Sequence, residues 1–159
     1  MDVYVLVGAP GCGKTTWRKT FLESHPDVVH ICPDEYRAIL GTGEGDQSVS
    51  RQAFEMAYDV LKIVLHERKS VVIDATNMHR KGRKRFLQLA RGYGAKTTAV
   101  VFEVDKATLL ERNAKRGKEG GRVVPEDVID MMLGKYQRPE IGEFDEVILC
   151  STEKTFTPV

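Results

Sequence analysis

The stretch Gly8-Ala9-Pro10-Gly11-Cys12-Gly13-Lys14-Thr15 fits the spacing G-x-x-x-x-G-K-[ST] at every position. Its surroundings constrain the chain as much as the motif does. An apolar run, Val3–Val7, precedes it, and a stretch of helical patterning, Gly13–Glu23, follows it. Glycines let the backbone bend until successive N–H groups converge on phosphate oxygens. A helix beginning near Gly13 adds the positive end of its dipole. In such a loop Lys14 reaches the outer phosphates of ATP and Thr15 holds Mg²⁺. The nucleotide-binding candidates are therefore Gly8, Ala9, Pro10, Gly11, Cys12, Gly13, Lys14, Thr15 and Thr16. The plainer alternative is a glycine-rich turn with no ligand.

Strand-like and helical stretches alternate along the rest of the chain. Strands are expected at Val3–Val7, Val28–Cys32, Ser70–Asp74, Thr97–Val104 and Glu146–Cys150. Their near-continuous apolar character suits a parallel sheet covered on both faces. Helices are expected at Ser50–Glu67, with a stripe through Ala53, Met56, Ala57, Val60, Leu61 and Val64, and at His79–Arg91. Asp105 reads as the N-cap of another helix, and Pro125 as the first residue of the last. The sum is an α/β, three-layer fold in one domain spanning residues 1–159. Two glycine-rich segments, Gly41–Asp46 and Gly117–Arg122, read as mobile loops, and Thr155–Val159 as a frayed tail.

A net charge of +1 gives no global basic field, so any polyanion site must be a local patch. Cys12, Cys32 and Cys150 lack zinc or redox spacing and read as reduced thiols. No run reaches membrane-spanning length or resembles a signal peptide. The chain is expected to be soluble and cytoplasmic, without a membrane partner.

Carboxylates stand where a phosphotransfer site needs them. Val71-Val72-Ile73-Asp74 is a hydrophobic strand ending in an acid, the position from which Mg²⁺ or its waters are supported. The alternative is that Asp74 caps the next turn with Thr76 and Asn77. Asp34 follows the second strand, and ligands of open α/β sheets bind beyond the carboxyl ends of strands. Asp34 is the candidate general base, with Arg37 three residues on as a clamp for an anionic acceptor. The alternatives are an N-cap at Asp34 for a helix Glu35–Leu40 and a solvated Arg37. Thr76 and Asn77 join the acceptor side as candidates.

Arg112 and Arg116 share a helical face, and Arg122 follows the flexible loop, so that roughly residues 112–124 form an arginine-bearing lid. Closure brings an arginine onto the transferring group, with Arg116 the first candidate and Arg122 the second. Capping of the helix dipole is the plainer reading. His79-Arg80-Lys81-Gly82-Arg83-Lys84-Arg85 forms a basic run that either steers a phosphate backbone or is a solvated helix face.

Taken together, G-x-P-G-x-G-K-T at Gly8–Thr15, D-x-Y-R at Asp34–Arg37, D-x-T-N at Asp74–Asn77 and R-N-x-K-R-G at Arg112–Gly117 resemble the 5′-kinase domain of polynucleotide kinases, within the P-loop kinases. The resemblance covers most of residues 2–150. It implies a five-stranded parallel sheet, ATP as donor, and the 5′-hydroxyl end of DNA or RNA as acceptor, hence a part in nucleic acid repair. It implies that Asp34 is the general base, that Arg37 contacts an acceptor phosphate and that Arg116 touches the donor phosphates. Pro33 departs from family members that carry a basic residue there, and no phosphatase motif is present. Related P-loop kinases phosphorylate small molecules or aminoacyl-tRNA. Two rivals follow: a metabolite or aminoacyl-tRNA kinase of the same fold, and a nucleotide-binding switch ATPase that needs no acceptor base.

Overall fold

The computed structural model describes residues 1–150 and the backbone of 156–158. Its elements run β1 (Asp2–Val7), α1 (Lys14–Ser24), β2 (Val29–Ile31), α2 (Pro33–Leu40), a 3₁₀ turn (Gln47–Val49), α3 (Ser50–His66), β3 (Val71–Ile73), α4 (Arg80–Gly92), β4 (Lys96–Val101), α5 (Lys106–Lys118), α6 (Glu126–Lys135), β5 (Glu146–Cys150) and β6 (Phe156–Pro158). The strands form one sheet in the order β2-β3-β1-β4-β5-β6. The first five are parallel, as the apolar runs predict, and β6 lies antiparallel to β5.

Alternation along each strand divides the core in two. Val3, Val5 and Val7, with Val71, Ile73, Ala99 and Val101, pack against Leu61, Leu65, Phe86 and Ala90 of α3 and α4. Leu6, Val72 and Val100 face the other way, into Leu109, Ile129 and Trp17 of α5, α6 and α1. Burial on both faces is why these strands read as continuous apolar runs.

Several expected boundaries move. β4 stops at Val101 instead of Val104, because β1 turns away after Val7. The Phe102 N–H reaches the Val7 carbonyl at 2.8 Å, and the chain then turns toward α5. Pro125 is the N-cap of α6 and not its first residue, so the helix begins one position later than predicted, at Glu126. The tail segment expected to fray contains β6, which pairs with the open edge of β5. The loop expected to be mobile at Gly41–Asp46 is organised by Asp46, whose carboxylate accepts from the backbone N–H groups of Thr42 and Ser48, each at 3.0 Å. Asp105 caps α5 as expected, accepting from the Thr108 N–H at 2.8 Å. Among the described residues, no helix is long and apolar enough to cross a membrane.

Candidate active site

The register of the sheet places the ends of β1, β2 and β3 side by side. Val5 lies opposite Ile73, and Ile73 opposite Ile31, so β2 and β3 end level with each other and β1 runs two residues further, to Val7. From there Pro10–Thr15, Asp34 and Asp74 all border the same cleft, of about 990 Å³, within the range of ligand pockets.

The phosphate-binding loop needs its glycines. Gly11 and Gly13 have φ of 85° and 106°, in the left-handed region that disfavours side chains. A Cβ on Gly8 would lie 2.5 Å from Cys12 Sγ and 3.1 Å from the Phe102 carbonyl oxygen. Gly8 donates its N–H to the Thr76 carbonyl at 2.9 Å, tying the loop to the segment after β3. The Lys14 ammonium donates to the carbonyls of Gly8 (2.5 Å) and Ala9 (3.1 Å). Thr15 and Thr16 are exposed at the start of α1, and both line the cleft.

α5 reaches over this loop. Arg112 Nη1 donates to the Gly11 carbonyl at 3.0 Å, and Arg116 Nη2 lies 3.2 Å from where a Gly11 Cβ would stand. The lid loop folds back on α5: the Gly121 N–H donates to the Arg116 carbonyl at 2.8 Å. Buried Asn113 pins its far end, exchanging two hydrogen bonds with the Val124 backbone at 2.6 and 2.9 Å. Arg122, on this loop, lines the cleft and lies 3.6 Å from where a Gly45 Cβ would stand. The lid loop and the 41–46 loop thus approach each other.

Asp34 lines the cleft with a side chain 42% exposed. It is not an N-cap: α2 starts at Pro33, with Cys32 as cap residue. Arg37 is buried instead of solvated. Its Nη2 pairs with Asp34 Oδ1, and its Nε donates to the Glu44 carbonyl at 2.6 Å. Burial first, and the Arg122 guanidinium second, hold Arg37 below the usual arginine range. Thr76 lines the cleft. Asn77, expected beside it, is buried and turns its amide to the Leu6 carbonyl at 2.9 Å.

The expected basic patch is largely dismantled. Arg83 is fully buried on Glu143, Arg80 pairs with Glu140 at 2.8 Å, and Arg85 pairs with Glu55 at 2.8 Å while its guanidinium lies 4.2 Å from the Tyr58 ring centroid. Lys81 and Lys84 are exposed, and no residue of the run borders the cleft.

Arg18 and His30, which both contact Asp74, escaped the sequence reading. Arg18 lies one turn beyond Lys14 on α1, and that i, i+4 spacing was the available signal. Its Nε lies 3.6 Å from Asp74 Oδ2 and its Nη1 within 3.1 Å of both ring nitrogens of His30. His30 Nε2 is itself 3.3 Å from Asp74 Oδ2. His30, Cys32 and Asp74 bring metal-ligating atoms within 4.8 Å of one another, but the Arg18 guanidinium sits against two of the three and its charge opposes a cation there. All three cysteines line the cleft, and burial pushes the Cys32 thiol up to about 11 and Cys150 to about 12. Those two therefore stay protonated at neutral pH and are poor nucleophiles.

A P-loop braced by the segment after β3, covered by arginines of α5 and facing an acid at the end of β2 is a nucleotide site of kinase type. Residues 3–139 match the AAA_33 family, described as an AAA domain. The chain belongs to that family. It is 32% identical over 158 residues to the transcription factor bHLH140 of Arabidopsis thaliana, covering 95% of this chain and 16% of that protein. It is 25% identical over 157 residues to L-seryl-tRNA(Sec) kinase of Methanococcus maripaludis, covering 94% of this chain and 59% of the kinase. Among solved structures, a chain of the Pnkp1/Rnl/Hen1 RNA repair complex superposes with a TM-score of 0.75 at 25% identity, over 84% of this chain and 43% of that one. The chain thus spans between about a sixth and three fifths of the length of these three proteins. Family and fold together make this a nucleotide-binding P-loop protein of the kinase type.

Proposed function

We propose that the chain transfers the γ-phosphoryl group of ATP to the 5′-hydroxyl of a polynucleotide. The observation that carries this reading is the convergence of Lys14, Arg116 and Asp34 on one cleft. A switch ATPase needs the first two and has no use for the third.

In this reading the P-loop amides and Lys14 hold the β- and γ-phosphates, and the γ-phosphoryl group points toward Asp34. The acceptor oxygen forms a bond to the γ-phosphorus as the bridging bond to the β-phosphate breaks, and ADP leaves. The acceptor proton passes to the Asp34 carboxylate. Charge on the transferring group is met by Lys14 and Arg116, with Arg112 and Arg122 beside it on the lid. Arg37, buried and not itself bordering the cleft, orients Asp34 through their ion pair, and so acts on the acceptor side through Asp34. Thr76 borders the acceptor side, and Asn77 serves it only by shaping the turn.

The Thr15 hydroxyl and the Asp74 carboxylate both border the cleft, an all-oxygen donor set that suits a hard cation. They would hold Mg²⁺, which when bound neutralises phosphate charge. Arg18 and His30 both contact Asp74 Oδ2, so Asp74 would support the ion through its other oxygen or through a water.

A second reading has its own support. The basic run does not border the cleft, so steering of a long nucleic acid has no structural basis in it. The match to a seryl-tRNA kinase favours the seryl hydroxyl of an aminoacyl-tRNA as acceptor.

The deciding experiment follows labelled γ-phosphate from ATP to 5′-hydroxyl DNA and RNA oligonucleotides, with seryl-tRNA in parallel and Asp34→Ala as control. Label on an oligonucleotide 5′ end that disappears in Asp34→Ala while ATP still binds is the expected result. Label on seryl-tRNA alone transfers the assignment to the second reading. ATP hydrolysis indifferent to Asp34→Ala, with no labelled acceptor, refutes both.

A further inference from the structure

Arg83 is the anomaly of the basic run. It is 0% exposed, and an arginine is buried at great cost unless its charge and its donors are all met. Glu143 meets the charge: its two carboxylate oxygens accept from Nε at 2.9 Å and Nη2 at 2.8 Å. One arm remains. Nη1 donates to the backbone carbonyl of Asn77 at 2.8 Å.

Asn77 has φ of 48°, in the left-handed region, which asparagine tolerates better than most non-glycine residues and which its neighbours here fix further. Its contacts run to the nucleotide loop. Its amide donates to the carbonyl of Leu6 at 2.9 Å, and the carbonyl of the preceding residue, Thr76, accepts from the Gly8 N–H at 2.9 Å. Leu6 and Gly8 flank the point where β1 ends and the phosphate-binding loop begins. Asp74 lies three residues before Asn77 on the same segment. Were the Asn77 carbonyl released, the peptide would rotate toward ordinary backbone angles and take the Thr76 carbonyl away from Gly8.

We propose that Arg83 is a positioning residue of the nucleotide site: its Nη1 locks the left-handed turn at Asn77, and that turn holds the first residue of the phosphate-binding loop in place. The assignment rests on the nucleotide-binding reading given above. A purely structural alternative uses the other two arms, with Arg83 and Glu143 pinning α4 to the segment before β5. The two roles sit on different nitrogens of one guanidinium, so they can be separated.

Arg83→Met/Glu143→Leu replaces the ion pair with apolar side chains, an exchange that buried pairs tolerate. It removes the Asn77 bond with no counterpart. The measurements are the melting temperature and the Kd for ATP, read calorimetrically on the full chain. The expected result is a melting temperature lowered by no more than about 2–10 °C, the scale of one unpartnered carbonyl, so that the protein is still folded at the assay temperature, and ATP bound roughly tenfold or more weakly, the scale of a lost charged hydrogen bond. Single variants carry the same contrast should the apolar pair not fold. Glu143→Gln keeps Nη1 on Asn77, so it lowers the melting temperature but leaves the Kd within about twofold; Arg83→Gln weakens both.

Wild-type affinity in the double variant, or a Kd in both single variants that simply tracks lost stability, overturns the Arg83 assignment and leaves the nucleotide reading standing. Wild-type protein that binds no ATP overturns both. As a reference, Arg80→Gln breaks an exposed pair on the same helix without touching Asn77, and binds ATP as wild type does.

Discussion

Asn113→Ala tests how the lid is built. Asn113 is 7% exposed and Val124, its partner, 3%. The amide donates to the Val124 carbonyl at 2.6 Å and accepts from the Val124 N–H at 2.9 Å, so one side chain satisfies both backbone polar groups of a buried residue. Truncation leaves that donor and that acceptor without partners. Each unsatisfied buried group costs about 1–3 kcal/mol, so the pair costs roughly 3 kcal/mol, allowing for some repair by water. For a chain of this length that lowers the melting temperature by about 6–12 °C. Circular dichroism melting of wild type, Asn113→Ala and Asn113→Asp measures it. Asn113→Asp keeps an acceptor for the N–H but sets a carboxylate oxygen against the carbonyl, and falls at least as far as alanine. The loop that bears Arg122 also loses its anchor, so KM for ATP rises more than the loss of folded protein explains. A drop of less than about 2 °C in Asn113→Ala would refute the claim that the double bond to Val124 is what anchors the loop.

Two further outcomes are expected. Gly8→Ala places a methyl 2.5 Å from Cys12 Sγ, an overpacking that costs about 1–3 kcal/mol and weakens ATP binding by about ten- to a hundredfold. Adding Cys12→Ala removes the sulfur and recovers part of the affinity in a direct titration, whereas no recovery would place the fault in the contact with Phe102. Asp46 is held down to about 2, from an ordinary 3.8, first by the Ser48 hydroxyl and then by the backbone N–H groups of Thr42 and Ser48. A depressed folded-state value means that its contribution is complete above about pH 4 and is lost as pH falls through 2. Asp46→Ala therefore melts lower than wild type at pH 6, and the gap closes toward pH 2; a gap independent of pH would contradict this.

The sequence by itself determined whatever depends on neighbours in the chain. The phosphate-binding loop was legible because its chemistry lies within eight consecutive residues and their backbone angles, and Gly11 and Gly13 adopt the left-handed conformations that the pattern implies. The five parallel strands were legible because burial on both faces writes an unbroken apolar run, and the Asp105 cap because its partner is three residues away. Asp34, Asp74 and Arg116 were legible as candidates from their places at strand and helix ends.

The tertiary structure decided the fate of charges. Arg80, Arg83 and Arg85 read alike in sequence, yet one is a core strut and two are surface pairs, because their acids lie 60, 60 and 30 residues away. Arg37 was read as a choice between clamp and solvated surface; folding gave it Asp34 on one side and the Glu44 carbonyl on the other. Asn77, read as a substrate contact, became a brace because the Leu6 carbonyl, 71 residues away, stands beside its amide. An ionic or polar side chain commits itself only when the fold delivers a partner, and local periodicity carries no record of partners so distant. Apolar side chains need only to leave water, a demand that local pattern records in full.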